Sequence, residues 1–223
     1  MSLVLLHGLG RSPLSMYLLE RAARKEGHAV SRPGYPSMRK PPEELVARWV
    51  LPALERARAD GQPVHVITHS LGGILLRLAM GKDAPDWLGR VVMICPPNQG
   101  SEIVDYLIRH RLPRLFIGPT GCLLGTGAES LPRRLPPIPF KCGIIGADRS
   151  MDPVLGKLLQ RPHDGKVSLI STRCEGVKDY ALVHTNHAFS MCHPEAVKLA
   201  MRFISTGNFD EPGSRAVAKS FPK

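Results

Sequence analysis

The sequence predicts an α/β fold: a largely parallel sheet of about six strands flanked by helices, built as one domain. Short apolar runs alternate with longer segments of helical period, the pattern of strand–helix–strand units. Several runs are apolar throughout rather than alternating, as strands buried on both faces are. The 223-residue length is compatible with a single hydrophobic core.

Strands are expected at Leu3 to Leu6, Ala29 to Arg32, Val64 to Thr68, Arg90 to Cys95, Phe140 to Ile145 and Tyr180 to His184. The run "KVSLIST" reads as an ordered loop or edge segment. Ser12 followed by Pro13 reads as the N-cap and first position of a helix that Gly27 closes. A second helix runs from about Pro42 to Asp60 and a third from Leu71 to Met80, each stopped by the glycine that follows. Ser101 is placed to cap a fourth over "EIVDYLIRH", and the last spans about Pro194 to Ile204. Between Arg111 and Pro139 the chain turns rich in proline and glycine and loses its period. An excursion of that length inside a compact domain reads as a lid, a binding loop or an insertion that simply moves. The domain is thus expected over 1–207, with the 111–139 insertion inside it and a polar tail over 208–223.

Composition narrows the function classes. Apolar residues make up 43% and charged residues 22%, as in soluble globular proteins. A net charge of +11 raises the question of an acidic partner, but the basic residues are dispersed along the chain. Only 5% of residues are aromatic, so no stacking platform for bases is expected, and no nucleic-acid partner. Five cysteines, an odd number without CxxC spacing, argue against a zinc site or a disulfide scaffold, and Cys95 and Cys142 read as core residues. Nine histidines include no HExxH pair, so no metal and no cofactor are expected. The compartment follows from processing: cytoplasmic if the chain is complete, secreted or periplasmic if a leader has been removed.

The most informative stretch is "HVITHSLGGILLRLAMG", where a strand ends at Ser70 and a helix begins at once. So tight a strand-to-helix turn strains the serine and needs small residues two before and two after it. Gly72 supplies the second; at the first stands Thr68. Ser70 is therefore either a nucleophile or a helix cap. As a nucleophile it needs a base, a group that fixes the base, and backbone N–H groups for the oxyanion. Leu71 offers one such N–H. The glycine-rich "HGLG" after the first strand offers another, most simply Leu9; it matches neither nucleotide-binding fingerprint.

Taken together, "LLHGLGRS", "THSLGG", "PPNQGS", "DGKV" and "HTNHAF" resemble the α/β-hydrolase family, and within it the small bacterial lipases and esterases. The resemblance implies a Ser–Asp–His order along the chain, with Ser70 as nucleophile, Asp164 as orienting acid, His187 as base, and Leu9 and Leu71 as oxyanion donors. It implies a minimal α/β-hydrolase fold that opens directly on the strand bearing the oxyanion loop, with the 111–139 insertion as a lid-like piece. The rivals are Asp148, just after the fifth strand, for the acid, and His184 for the base. His69 is expected to pack beneath the elbow, and Asp152 and Asp179 to serve turns or the surface. All five site positions follow strand ends or their loops, where open α/β sheets bind ligands.

The implied activity is hydrolysis of a carboxyl ester, of a small molecule or a lipid, with Leu115, Phe116, Ile117, Leu123 and Leu124 of the insertion covering an acyl pocket. Two alternatives stay open: an idle scaffold that binds a ligand, a partner or an anionic membrane surface, and the same residues acting on a thioester, an amide or another acyl acceptor. Peripheral contact with lipid fits either, and the sequence does not set the oligomeric state.

Overall fold

The computed structural model of the protein describes residues 1–59, 61–110 and 114–210. Six strands, β1 (Ser2–Leu6), β2 (Ala29–Ser31), β3 (Val64–His69), β4 (Leu88–Ile94), β5 (Cys142–Ala147) and β6 (Asp179–Val183), form one sheet in the order β2-β1-β3-β4-β5-β6, and every pairing is parallel. The sheet is fully parallel where the sequence argued for largely parallel.

Side chains alternate between two cores. From β1, Leu3 and Leu5 point to one face and Val4 and Leu6 to the other; from β4, Val92 and Ile94 oppose Val91 and Met93. Both faces are buried, so the strands read as continuous apolar runs. The first face is covered by α1 (Tyr17–Lys25) and α8 (Pro194–Thr206). The second is covered by α2 (Pro42–Leu45), a π-helical turn over Val46–Val50, α3 (Leu51–Ala57), and α4 (Leu71–Met80). This split follows from right-handed crossovers. The chain steps from β1 outward to β2 through α1, then returns past β1 to β3 through α2 and α3, and the reversal puts the two connections on opposite faces.

The reversal also makes β1 and β3 neighbours whose following loops diverge, the place where such sheets hold a ligand. Between β4 and β5 lie α5 (Glu102–Arg109), α6 (Arg114–Gly121) and α7 (Leu131–Arg134). The described part of the insertion, 114–139, is thus more ordered than its composition predicts. Helix α6 breaks at Gly118, with φ 65°, and Thr120 Oγ1 donates to the Lys40 carbonyl at 2.6 Å. Arg111 to Pro113, the side chains of Leu115 and Phe116, and Asp60 lie outside the described residues, as does the tail from 211 onward.

Ser12 and Ser101 both stand at the expected N-cap positions, but not through their hydroxyls. Neither Ser12 nor Ser101 makes a side-chain cap bond. The Ser101 hydroxyl instead donates to the Lys166 carbonyl at 2.6 Å, tying the start of α5 to a distant loop. "KVSLIST" forms a single antiparallel bridge, His163 to Ser168, and a 3-10 turn at Ile170–Thr172, and adds no strand to the sheet. Beneath the second face, buried Arg77 of α4 donates to the Asn98 side-chain oxygen at 3.1 Å and to the Leu135 and Pro136 carbonyls at 3.2 and 3.0 Å. A buried cation is tolerated only when so satisfied.

Helix α4 meets β1 backbone to backbone at Gly72, where a Cβ would lie 2.5 Å from the Leu6 carbonyl oxygen. We expect Gly72→Ala to lower unfolding free energy by about 1–3 kcal/mol, as overpacking does. Gly127→Ala, where a Cβ meets nothing within 4 Å, should change it by under about 0.5 kcal/mol. Urea titrations of the two variants check this, and equal midpoints would refute the packing argument.

Candidate active site

Ser70 stands between the last residue of β3 and the first of α4 with φ 51° and ψ −120°, a conformation that L residues rarely adopt. Its N–H donates to the Ile94 carbonyl of β4 at 2.9 Å, and its own carbonyl accepts from Gly73 N–H at 3.0 Å. Its hydroxyl caps nothing. The strained turn lifts Oγ to 2.9 Å from His187 Nε2 instead.

His187 reaches this point from the loop after β6. Its other ring nitrogen, Nδ1, lies 2.7 Å from Asp164 Oδ2. A carboxylate beside Nδ1 holds the proton there, so Nε2 is the acceptor for the serine hydroxyl. The backbone repeats the link, since His187 N–H donates to the Asp164 carbonyl at 2.9 Å. Asp164 itself is pinned by "DGKV". Its Oδ1 accepts the Lys166 and Val167 N–H groups at 2.9 and 2.7 Å, and the turn requires Gly165 at φ 95°. The Asp164 side chain is 1% exposed and that of His187 13%.

The loop after β1 is fixed from the side. Tyr35 Oη donates to the His7 carbonyl at 2.5 Å and its ring stacks on His7, with centroids 3.8 Å apart. Gly10 N–H donates to Ser37 Oγ at 3.0 Å and Arg11 N–H to the Gly8 carbonyl at 3.2 Å. Those bonds leave the Leu9 N–H without an acceptor among the described residues. Leu71 opens α4, so its N–H has no intrahelical acceptor either. Both residues flank Ser70, and the helix N-terminus adds partial positive charge there.

A cleft of about 720 Å³ opens over Ser70 and His187. Its wall is mainly apolar, from Ile103, Val104 and Leu107 of α5, Ile117 of α6, Leu124 and Met38. Of the insertion residues expected at the pocket, Ile117 and Leu124 line it, whereas Leu123 packs against the core without lining the cleft.

The structure brings Ser70, His187, Asp164, Leu9 and Leu71 to one place at the carboxyl ends of the strands. It separates the rivals from them: Asp148 Oδ2 accepts from His184 Nδ1 at 2.9 Å, in a pair whose histidine side chain is 65% exposed. Asp152 caps the Val154 and Leu155 amides, and Asp179 opens β6. His69 lies beneath the elbow as expected, but only half satisfied. Its Nε2–H donates to the His187 carbonyl at 3.1 Å, which Ser190 Oγ also bonds, while its Nδ1 has no partner. Tyr35, Ser37 and Ser190 were missed by the sequence reading, since nothing in their spacing marks them.

Among the described residues, Cys95, Asp164 and His187 form the group that draws three metal-binding atoms within 4.8 Å. Burial and then the Asp164 charge push the Cys95 thiol well above its ordinary range. A thiol kept protonated is a poor metal ligand, so the group reads as a serine–histidine–carboxylate array with a thiol behind it. All five cysteines are free.

A serine on a positive-φ turn between a parallel strand and a helix, facing a histidine–aspartate pair, defines the class of strand–elbow–helix α/β proteins. The chain belongs to the alpha/beta hydrolase family, whose model matches residues 3–140, more than half of its length. Among solved structures it is similar to Bacillus licheniformis lipase BlEst2 in mature form, at 18% identity and TM-score 0.71 over 92% of this chain and 91% of that one. It also resembles phospholipase PlaB from Legionella pneumophila, at 15% identity and TM-score 0.67 over 99% of this chain and 62% of that one. The lin2722 product of Listeria innocua aligns at 17% identity and TM-score 0.58 over 92% and 94%. At these identities the likeness is one of fold. A comparison with curated protein sequences finds no match.

Burial sets a pH limit on this site. It is the first cause holding His7, His65 and His69 below the ordinary histidine range, His69 most strongly. In the unfolded chain each takes a proton near pH 6.5. Their contribution is therefore complete above that pH and is lost as pH falls toward the lower folded values, at up to ~1.4 kcal/mol per pH unit per histidine. Urea melts between pH 7.5 and 5.0 should show stability falling over this range, with a shallower fall in His69→Gln. An unchanged slope in that variant would refute the assignment.

Proposed function

We propose that the protein is a serine hydrolase of carboxyl esters, acting through an acyl-enzyme. The observation that carries this reading is the continuous hydrogen-bonded chain from Ser70 Oγ through His187 to Asp164, at 2.9 and 2.7 Å. In the proposed reaction Ser70 Oγ attacks the ester carbonyl carbon while its proton passes to His187 Nε2. Asp164 holds the imidazole in the receptive tautomer and stabilises the imidazolium. The carbonyl oxygen becomes an oxyanion between the Leu9 and Leu71 N–H groups. His187 then returns the proton to the alkoxide as the C–O bond breaks and the alcohol leaves. Water, deprotonated by the same nitrogen, attacks the acyl carbon and releases the acid and Ser70. No step calls for a cofactor.

The apolar cleft supports an acyl-chain substrate over a small polar one, since its volume lies within the range of sites that bury most of a ligand's surface. Two structural neighbours are named as a lipase and a phospholipase, and the reading takes the same direction for this chain. The hydrogen-bonded array favours catalysis over the idle-scaffold alternative, because a scaffold has no need of a strained serine aimed at an oriented imidazole.

Ser70→Ala and His187→Ala should each lower kcat on p-nitrophenyl esters by on the order of 10⁴-fold or more. Asp164→Asn should lower it by up to about 10⁴-fold through the wrong histidine tautomer. Asp148→Asn should leave it within about twofold, because Asp148 pairs with His184. A fluorophosphonate probe should label Ser70, as mapped by mass spectrometry. Labelling elsewhere, or activity that survives Ser70→Ala, would overturn the proposal.

A further inference from the structure

The segment after β5 carries a feature that the ester chemistry does not use. Met151 is 73% exposed, Val154 72% and Leu158 38%, and Phe189, from the loop after His187, is 57% exposed. These apolar side chains are held out by structure. The Asn186 amide donates to Met151 Sδ at 3.1 Å, and Asp152 caps the turn that starts the 3-10 helix Leu155–Leu158. Met151, Pro153 and Leu155 line the cleft, as does Phe189, so this crest forms part of its rim. Ile117 and Leu124 of the insertion turn inward to the cleft and are not part of this crest.

Cations flank the same crest. Arg149 shares the Asp148 carboxylate at 3.7 Å, while Lys157 and Arg161 form no ion pair among the described residues. On the outer side of the crest, Ser150, Lys157, Arg161 and His163 line a second groove. His163 is 8% exposed, and its Nδ1 accepts the Gly165 N–H at 3.2 Å, which leaves its Nε2–H as a donor for whatever enters that groove. Asp152 lines this groove as well, but its carboxylate is engaged by the Val154 and Leu155 amides and by Lys166; Asp148 borders the adjoining groove, where His184 and Arg149 engage it.

An apolar crest with unpaired cations beside it is complementary to an anionic lipid surface. Nucleic acid would match the cations but not the crest. The geometry points to an anionic phospholipid bilayer as the partner of this face. Met151, Val154 and Leu158 enter among the acyl chains, Lys157, Arg161 and the His163 donor meet headgroup phosphates, and the cleft mouth faces the lipid esters. Substrate delivery in this arrangement rests on the ester-hydrolase reading; the binding itself does not.

The test is sedimentation of the full chain carrying Ser70→Ala, so that lipid is not consumed, with vesicles of phosphatidylcholine alone or mixed with phosphatidylglycerol. Binding should require phosphatidylglycerol and weaken with salt. Lys157→Gln with Arg161→Gln should weaken it about 25-fold, at about fivefold per charge near the surface. Val154→Ser with Leu158→Ser should weaken it by at least about tenfold. None of these four residues lines the cleft, so with Ser70 restored both pairs should turn over a soluble short-chain ester at the unaltered rate. Equal binding to both vesicle types, or binding that survives either pair of substitutions, overturns the inference. Vesicle binding without ester turnover in the Ser70 protein would refute the hydrolase reading alone, and turnover without binding would refute this one alone.

Discussion

The site depends on how closely the N-terminus of α4 approaches the carboxyl end of β1. Gly72 makes that approach, with space for no Cβ against the Leu6 carbonyl. Leu6 pairs with Thr68 across the β1–β3 ladder, so the same contact sets the distance between the loop after β1 and the turn after β3. A larger residue at 72 pushes the helix away, relaxes the turn at Ser70 and moves Leu71 relative to Leu9. One steric constraint thus fixes the serine's strained backbone and the spacing of both unpaired N–H groups. The strain at Ser70 persists because its N–H bonds β4 while the α4 residues after it are buried on every side.

The threonine at the first small position of the elbow is accommodated by the second glycine of "SLGG". Thr68 is fully buried, and a Cβ on Gly73 would lie 3.2 Å from its Oγ1. The volume added on the strand is removed from the helix one turn on. The hydroxyl gains no hydrogen bond in return. Leaving a buried hydroxyl unpaired costs on the order of 1–3 kcal/mol, and nothing in the structure explains why threonine rather than a smaller residue stands there.

Much of this was legible in the sequence, for identifiable reasons. Strands buried on both faces announce themselves as unbroken apolar runs, and α4 begins and ends where its serine and Gly81 say. Asp164 was legible because an Asp-Gly turn is local: the carboxylate captures amides two and three residues on, and only glycine readily takes the intervening φ. Ser101 misled because its hydroxyl had two uses, and a carbonyl 65 positions away outcompeted its own helix. Tyr35 and Ser37 were illegible for the same reason: what they hold, the loop after β1, lies 27 or 28 residues upstream. The exposed crest escaped notice because a sequence shows that Met151 and Val154 are apolar but not that they face water.

"HTNH" and its carboxylates show why position along a strand is a weaker guide than turn chemistry. Asp148 follows β5 directly, yet from there it reaches His184, the first residue past β6, because two adjacent parallel strands deliver their next residues side by side. The histidine of that pair stands in solvent, where screening leaves little energy to orient its ring. His187 lies three residues further on, over the elbow, and a partner must come to it from elsewhere. The long loop after β5 returns to bring Asp164 in, and the pair is buried, where each charge and hydrogen bond counts for more. The loop that reaches back in this way has to travel out first, and its outward leg is the crest from Met151 to Leu158. The proposed lipid-facing surface and the proposed orienting acid are thus two stretches of one excursion, joined through His163 and Asp164.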